Sequence, residues 1–294
     1  MKKHKLSRII ILILLIAFTS LTLYSVVSAR TLRLKYGTVP FKGTGMFKVA
    51  YISDLNISSA WGADRAFCMI RRVCREGADV LMLNGISAPS LADEIALITG
   101  IYTRKELDEK LSKARLRLSE RLKELDLPGG IYATLSEREP APASEEMDGP
   151  VTYLGGYARA TVRGGTLNIF GFSPQMAAST NSLRLGNTGS GPMLVMFSSP
   201  SYYNQAAIAA NDRGGGQSNY FFLSGGTFGG QIKLAGEPLL DRTELKKLYE
   251  STDKYGIYSD KSGYRMLLSP GAGTRYLPLR LGTESSAYLM TVGE

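Results

Sequence analysis

The sequence predicts one layered α/β domain carried behind a single apolar helix. Three observations lead there. Residues 9–29, "IIILILLIAFTSLTLYSVVSA", hold no charged side chain and follow the basic flank "MKKHKLSR". Short apolar strands then alternate with helical stretches through the first half of the chain. Strands separated by glycine turns dominate the second half. With 294 residues, 44% of them hydrophobic and 21% charged, the chain has the make-up of an ordinary folded protein.

A helix needs about 20 apolar residues to cross a bilayer, and residues 9–29 reach that length. A cleaved signal peptide is the alternative, with "VSA" ahead of Arg30, but its apolar region normally runs to about 7–15 residues. The run is read as a retained single-pass anchor, so the membrane is the first expected partner. Basic residues ahead of it favour a cytoplasmic N-terminus and a domain outside the cytoplasm. Arg30, Arg33 and Lys35 follow the run and weaken that asymmetry. The expected organisation is a flank at 1–8, the anchor at 9–29, a linker or first strand at 30–45 and a domain at 46–294.

The formal net charge is +9, and Lys2, Lys3, Lys5 and Arg8 supply four of those charges. The rest are scattered without basic blocks, so no nucleic-acid partner is expected. Cys68 and Cys74 lie six positions apart in a helical stretch, which turns them about 240° from one another. Both are expected as small buried hydrophobes, with no disulfide framework and no cysteine zinc site. His4 is the only histidine and sits in the basic flank. The domain therefore has no imidazole for a Ser-His-Asp triad, a zinc site or a general base.

After the anchor, "RTLRLKYGTV" alternates as a strand and "FKGTG" turns the chain. "MFKVAYISDLN" is an apolar strand that stops at Asp54. A helix follows over about 63–75, with Phe67, Ile70 and Cys74 on one side. Trp61, the single tryptophan, is expected to pack. "ADVLMLNG" is a second apolar strand. The clearest helix covers 103–125, opening on a Thr103/Glu106 capping box and carrying Leu107, Leu111, Leu116 and Leu118. "GGIYATLSERE" is a third strand, and "PAPASEEMDGP" (140–150) is expected as a mobile surface loop. "YARATVRGGTLNIFGFS" reads as a hairpin turning at Gly164 and Gly165. "GPMLVMFSSP" is a buried strand, with a short helix expected near 203–211. "YFFLSGG" and the tail, including "RMLLSPGAG" and "SSAYLMTV", read as further strands.

The strand ends pose a question that is sharpest in "LSGGTFGGQI" (223–232), where four glycines carry no reactive side chain among them. Five such ends, in order, resemble the calcineurin-like metallophosphoesterases, in particular their membrane-anchored bacterial branch, over roughly 46–294. The motifs of that family are Asp-x-His, Gly-Asp, Gly-Asn-His-Asp/Glu, a lone His, and Gly-His-x-His. "YISDLN" keeps Asp54 and has Asn56 for the histidine. "VLMLNGI" keeps Gly85 and has Ile86 for the aspartate. "IYATLSERE" has Ser136, Glu137 and Arg138 for Gly-Asn-His and keeps an acid at Glu139. "LVMFSSP" has Ser198 for the histidine. "LSGGTFGGQI" has Gly226 and Phe228 for the last two histidines.

The resemblance implies a four-layer α/β/β/α sandwich with two divalent metal ions on loops at the strand ends, hydrolysing phosphate esters. The departures imply that this chemistry is lost. A two-metal site needs a bridging anion, and Ile86 cannot supply one. Imidazole favours borderline metals, and each imidazole position is replaced. The general acid's place is held by Arg138. The expectation is an inactive pseudoenzyme with no cofactor, kept for binding or structure in the cell envelope, with an envelope protein or a phosphate-bearing ligand as partner. One alternative is a rebuilt hydrolase in which Asp54, Asn56, Glu137 and Glu139 offer oxygen ligands to Mg²⁺ or Ca²⁺. The other is anion recognition by Arg138 and the backbone N–H groups of the 225–230 loop, without turnover.

Overall fold

A computed structural model describes residues 2–175, 185, 191–234, 237–238, 256–259, 261–275 and 277–294. Helix α1 (Lys2–Arg30) is continuous, and its segment Ser7–Arg30 is long and apolar enough to cross a membrane. It ends against the domain without an intervening tether. Ser25 and Ala29 are buried, the Arg280 backbone N–H donates to the Ser25 carbonyl, and the Ser28 hydroxyl donates to the Thr283 carbonyl.

The chain then supplies β1 (Leu32–Val39), β2 (Phe47–Ser53), α2 (Ala60–Cys74), β3 (Val80–Asn84), α3 (Leu91–Ile98), α4 (Arg104–Leu122), β4 (Ile131–Thr134), α5 (Ser144–Met147) and β5 (Val151–Tyr153). It continues with β6 (Tyr157–Val162), β7 (Gly165–Phe172), β8 (Met193–Phe197), α6 (Tyr203–Arg213), β9 (Tyr220–Ser224), the short β10 (Lys233–Leu234) and β11 (Glu237–Pro238), β12 (Ile257–Ser259), β13 (Arg265–Leu268) and β14 (Ser285–Val292). Two six-stranded mixed sheets result, ordered β1-β14-β2-β3-β4-β5 and β12-β13-β9-β8-β7-β6. Strands β2 to β5 run parallel, as do β7, β8, β9 and β13.

The apolar strands are continuous because both of their faces are covered. Ala50, Ile52, Leu81 and Leu83 face α2 and α4, where Phe67, Ile70 and Leu118 meet them. Their neighbours Val49, Tyr51, Val80 and Met82 face the second sheet through Leu167, Ile169, Leu194 and Phe221. The outer side of that sheet, Phe170, Val195 and Phe222, packs on Tyr203, Ala206 and Ala210 of α6. The described residues thus stack as helices, sheet, sheet and helix. Each large apolar side chain so buried contributes about 1.5–3 kcal/mol.

Several expectations are corrected. Residues 140–150 are anchored: α5 lies there, and the Glu146 carboxylate is fully buried on Arg115 of α4. Its Oε2 accepts from Arg115 Nε at 2.8 Å and its Oε1 from Arg115 Nη2 at 3.0 Å and the Ser112 hydroxyl at 2.6 Å. On α4, Leu107, Leu111 and Leu118 are buried as expected, but Leu116 is half-buried and Arg115 takes a core position. Cys74 is buried while Cys68 is exposed, and Trp61 is 69% exposed. The β6–β7 turn is formed by Arg163 and Gly164, both at positive φ (51° and 81°), the geometry of a type I′ hairpin. The strand expected after the apolar helix is present as β1, and it pairs along its whole length with β14. β14 itself inserts between β1 and β2, so the end of the chain closes the first sheet.

Candidate functional site at the strand ends

Parallel strands expose the ends of their backbones at one edge, where connecting loops can converge on a ligand. Here the edges of both sheets meet. A cleft of about 150 Å³ is lined from the loops after β2 (Asp54, Asn56), β3 (Gly85, Ala88), β4 (Ser136, Glu137, Arg138), β8 (Ser198, Ser199) and β9 (Gly226, Phe228). Glu94 of α3 and Arg275 also line it. Nine of the eleven motif positions named in the sequence therefore line this cleft, all but Ile86 and Glu139.

Ile86 lies elsewhere. It is 2% exposed and belongs to the core between the helices and the first sheet, beside Leu55 and Ile57. Its side chain serves the core, and only its backbone serves the site. The Ile86 and Ser87 N–H groups donate to Glu139 Oε1 at 3.0 and 2.6 Å, and the Ser87 hydroxyl donates to the same oxygen at 3.1 Å. Glu139 Oε2 accepts from the Ser136 N–H at 2.7 Å. The acid retained at the third strand end is thus a buried clasp between two loops. Burial raises its carboxyl above the usual range, against the pull of these donors and Arg115.

Asp54 sits at positive φ (53°), buried, with its carboxyl turned onto the fifth strand end. The Gly226 N–H donates to both its oxygens at 2.9 and 3.0 Å, and the Ser53 hydroxyl donates at 2.9 Å. Burial pushes this carboxyl up to about 7, although Gly226, Ser53 and Arg280 all favour its charged form. Asn56 donates its amide to the Thr274 carbonyl at 3.0 Å, and Glu137 accepts from the Tyr202 hydroxyl.

The glycines of the fifth loop now have a physical role. A Cβ on Gly225 would lie 2.7 Å from Ser53 Cβ and 2.8 Å from Asp54 Oδ2. A Cβ on Gly226 would lie 2.5 Å from the Ser198 carbonyl, at a φ of +80° that disfavours side chains. These residues let the loop close onto Asp54 and Ser198. No histidine can stand at Gly226 without displacing backbone.

The buried Arg280, flanked by leucines in "LPLRL", was not singled out in the sequence and holds the floor of this arrangement. Its guanidinium donates to the carbonyls of Phe228, Pro270, Gly271, Gly273 and Glu284, at 2.5 to 3.2 Å. An arginine between apolar neighbours was the one available signal for it. Arg275 and Glu94 carried no such signal.

The donor set does not fit two divalent ions. Asp54 is committed to Gly226 and Ser53, Glu139 to backbone and Ser87, and Ile86 offers only an apolar side chain to the core. Among the described residues no group of three or more His, Cys, Asp or Glu side chains is arranged to hold a metal. Fold and cleft together define a mixed α/β domain with a convergent strand-end site behind one apolar helix. No family model matches the chain, and no curated protein matches it significantly. A solved structure, "GAP50 the anchor in the inner membrane complex of Plasmodium", is similar at 9% identity and a TM-score of 0.37, covering 78% of this chain and 72% of its own. At that score the likeness carries no argument about function.

Proposed function

We propose that this chain is a membrane-anchored protein with a phosphoesterase-like sandwich, a catalytically inactive member that binds a ligand or partner at its strand-end cleft. The observation that carries the reading is the closure of the fifth loop. Gly226 donates to both oxygens of Asp54 and packs where a Cβ would strike Ser198. A metal-binding side chain and that closure exclude one another. α1 ties the domain to the cell membrane, and the basic flank ahead of it supports a domain outside the cytoplasm. Arg138 and Arg275 line the cleft beside Asp54, Glu94 and Glu137, and their two guanidinium groups would be the ones to take an anionic ligand such as a phosphate ester. An envelope protein presenting such a group would meet the same chemistry.

The test is elemental analysis of the detergent-purified full chain beside turnover of an aryl phosphate diester with Mn²⁺, Fe²⁺ or Zn²⁺ added. The expected result is no stoichiometric metal and no turnover above a blank. Two metal equivalents, with turnover abolished by Asp54→Ala, would overturn the proposal.

A further inference from the structure

Helix α3 is built inside out. Its one buried residue is an acid, Asp93, which caps the helix through Ser90 and takes Lys110 as ion-pair partner at 2.5 Å. Three of its apolar residues face outward, Leu91 at 40%, Ile95 at 51% and Ile98 at 82% exposed, with Ile101 just beyond at 71%, while Ala96 and Leu97 are half-buried. The spacing i, i+4, i+7 places the first three on one stripe. Polar contacts hold the helix to the domain, and an apolar face is left to the surroundings. Trp61, at the start of α2, adds a second large exposed apolar group. The i, i+4, i+7 stripe of α3 is a contiguous apolar patch of the kind that marks an interaction surface.

The position of this surface identifies what covers it. A cavity of about 310 Å³ is lined jointly by Ala29 and Arg30 at the end of α1, by Trp61 and Arg65 of α2, and by Pro89 and Ser90 at the start of α3. Tyr102, which follows α3 and precedes α4, shares a second cavity with Ser59 and Ala60 at the start of α2. Trp61 and the start of α3 therefore flank the point where α1 enters the domain. The first cavity is cationic: Arg30 and Arg65 line it, no lining residue is acidic, and the Arg65 guanidinium lies 5.9 Å from the Trp61 ring. A tryptophan beside arginines, next to an apolar stripe, is the composition of a membrane interface.

We propose that α3, Trp61 and the Arg30/Arg65 cavity form an interfacial docking surface that lies on an anionic phospholipid bilayer beside the anchor. The proposal rests on reading α1 as a membrane anchor. The apolar stripe enters the headgroup region and the arginines meet lipid phosphates. The strand-end cleft shares Asn56 and Pro89 with the cationic cavity, so docking also holds that cleft close to the membrane surface.

Trp61 is the only tryptophan, which makes the test direct. The full chain is reconstituted into vesicles of phosphatidylcholine and phosphatidylglycerol, with or without bromine on the acyl chains. The expected result is blue-shifted Trp61 emission that brominated lipid reduces by about half or more, as for an indole at the interface. Ile95→Glu with Ile98→Glu should relieve most of that quenching while the chain still floats with the vesicles. Arg65→Glu should weaken quenching in the anionic vesicles and leave it unchanged in pure phosphatidylcholine. Flotation without quenching, or quenching unchanged in the Ile95/Ile98 variant, overturns the docking surface and leaves the anchor standing. Failure to float overturns the anchor, and the docking surface falls with it. A detergent-stable dimer lost in the Ile95/Ile98 variant would assign the face to a second copy and refute the lipid occupant.

Discussion

Replacing Glu146 with alanine removes the one carboxylate that, among the described residues, bonds the fully buried guanidinium of Arg115. Five hydrogen bonds to that carboxylate are lost with it, from Arg115 Nε and Nη2, Ser112, the Ala143 N–H and Tyr153. An uncompensated buried charge of this kind costs about 3–5 kcal/mol, a large part of the roughly 5–15 kcal/mol that keeps a domain folded. The double variant Arg115→Met/Glu146→Leu removes both charges together and should recover most of the loss, because two buried ions give up their desolvation penalty along with their attraction. Urea unfolding of the detergent-solubilised full chain, followed by far-ultraviolet circular dichroism, measures both. Burial alone would raise the Glu146 carboxyl, but Arg115 and Ser112 hold it below its usual range. Its stabilisation is therefore complete above its unfolded value and lost as the pH falls through its folded one. The Glu146→Ala variant should lack that acid-side loss. A cost below about 1 kcal/mol, or a pH profile parallel to that of the unaltered chain, would refute the assignment of residues 140–150 as anchored.

Asp54 titrates in the opposite sense. Its folded value, raised to about 7, lies above its unfolded one, so its contribution is fully present at low pH and is lost as the pH rises through 7. Asp54→Asn should flatten the stability profile between about pH 4 and 7, by up to roughly 4 kcal/mol over the interval, read by urea unfolding at each pH. Gly226→His should not create a metal site. The clash with the Ser198 carbonyl at 2.5 Å and the positive φ predict a loss of about 2–4 kcal/mol in the same assay, with no bound metal. Arg280→Met leaves the carbonyls of Phe228, Pro270, Gly271, Gly273 and Glu284 without that donor, and should cost at least about 3 kcal/mol. Unchanged unfolding midpoints in either variant would contradict the packing described around the cleft.

Local signals were sufficient for the elements whose cause is local. Continuous apolar runs located β2, β3 and β8, because a strand covered on both faces shows no polar alternation. The Thr103/Glu106 capping box, written in the sequence, is formed at the start of α4. The ordered strand ends gathered Asp54, Asn56, Glu137, Arg138, Ser198, Gly226 and Phe228 at one cleft, since parallel strands bring equivalent ends to one edge.

Contacts between residues far apart in the chain were not legible. Glu146 sits among polar residues and prolines that describe a solvent loop, and only Arg115, 31 residues earlier, makes it a core group. Ile86 follows Gly85 as if facing the cleft, but its side chain falls on the helix side of the sheet and its backbone goes to Glu139. α3 was missed because its apolar stripe points outward and its polar cap inward, inverting the pattern by which a surface helix is recognised. By itself the sequence determined the apolar helix, the alternation of helices with buried strands, and the absence of histidine from the domain, each a matter of composition or local period. Only the tertiary structure decided that Gly226 closes on Asp54, that Arg280 holds five carbonyls, and that α3 turns an apolar stripe outward. Burial is the reason: an ion or a glycine acquires its role from what packs against it, and that neighbour is set by the fold.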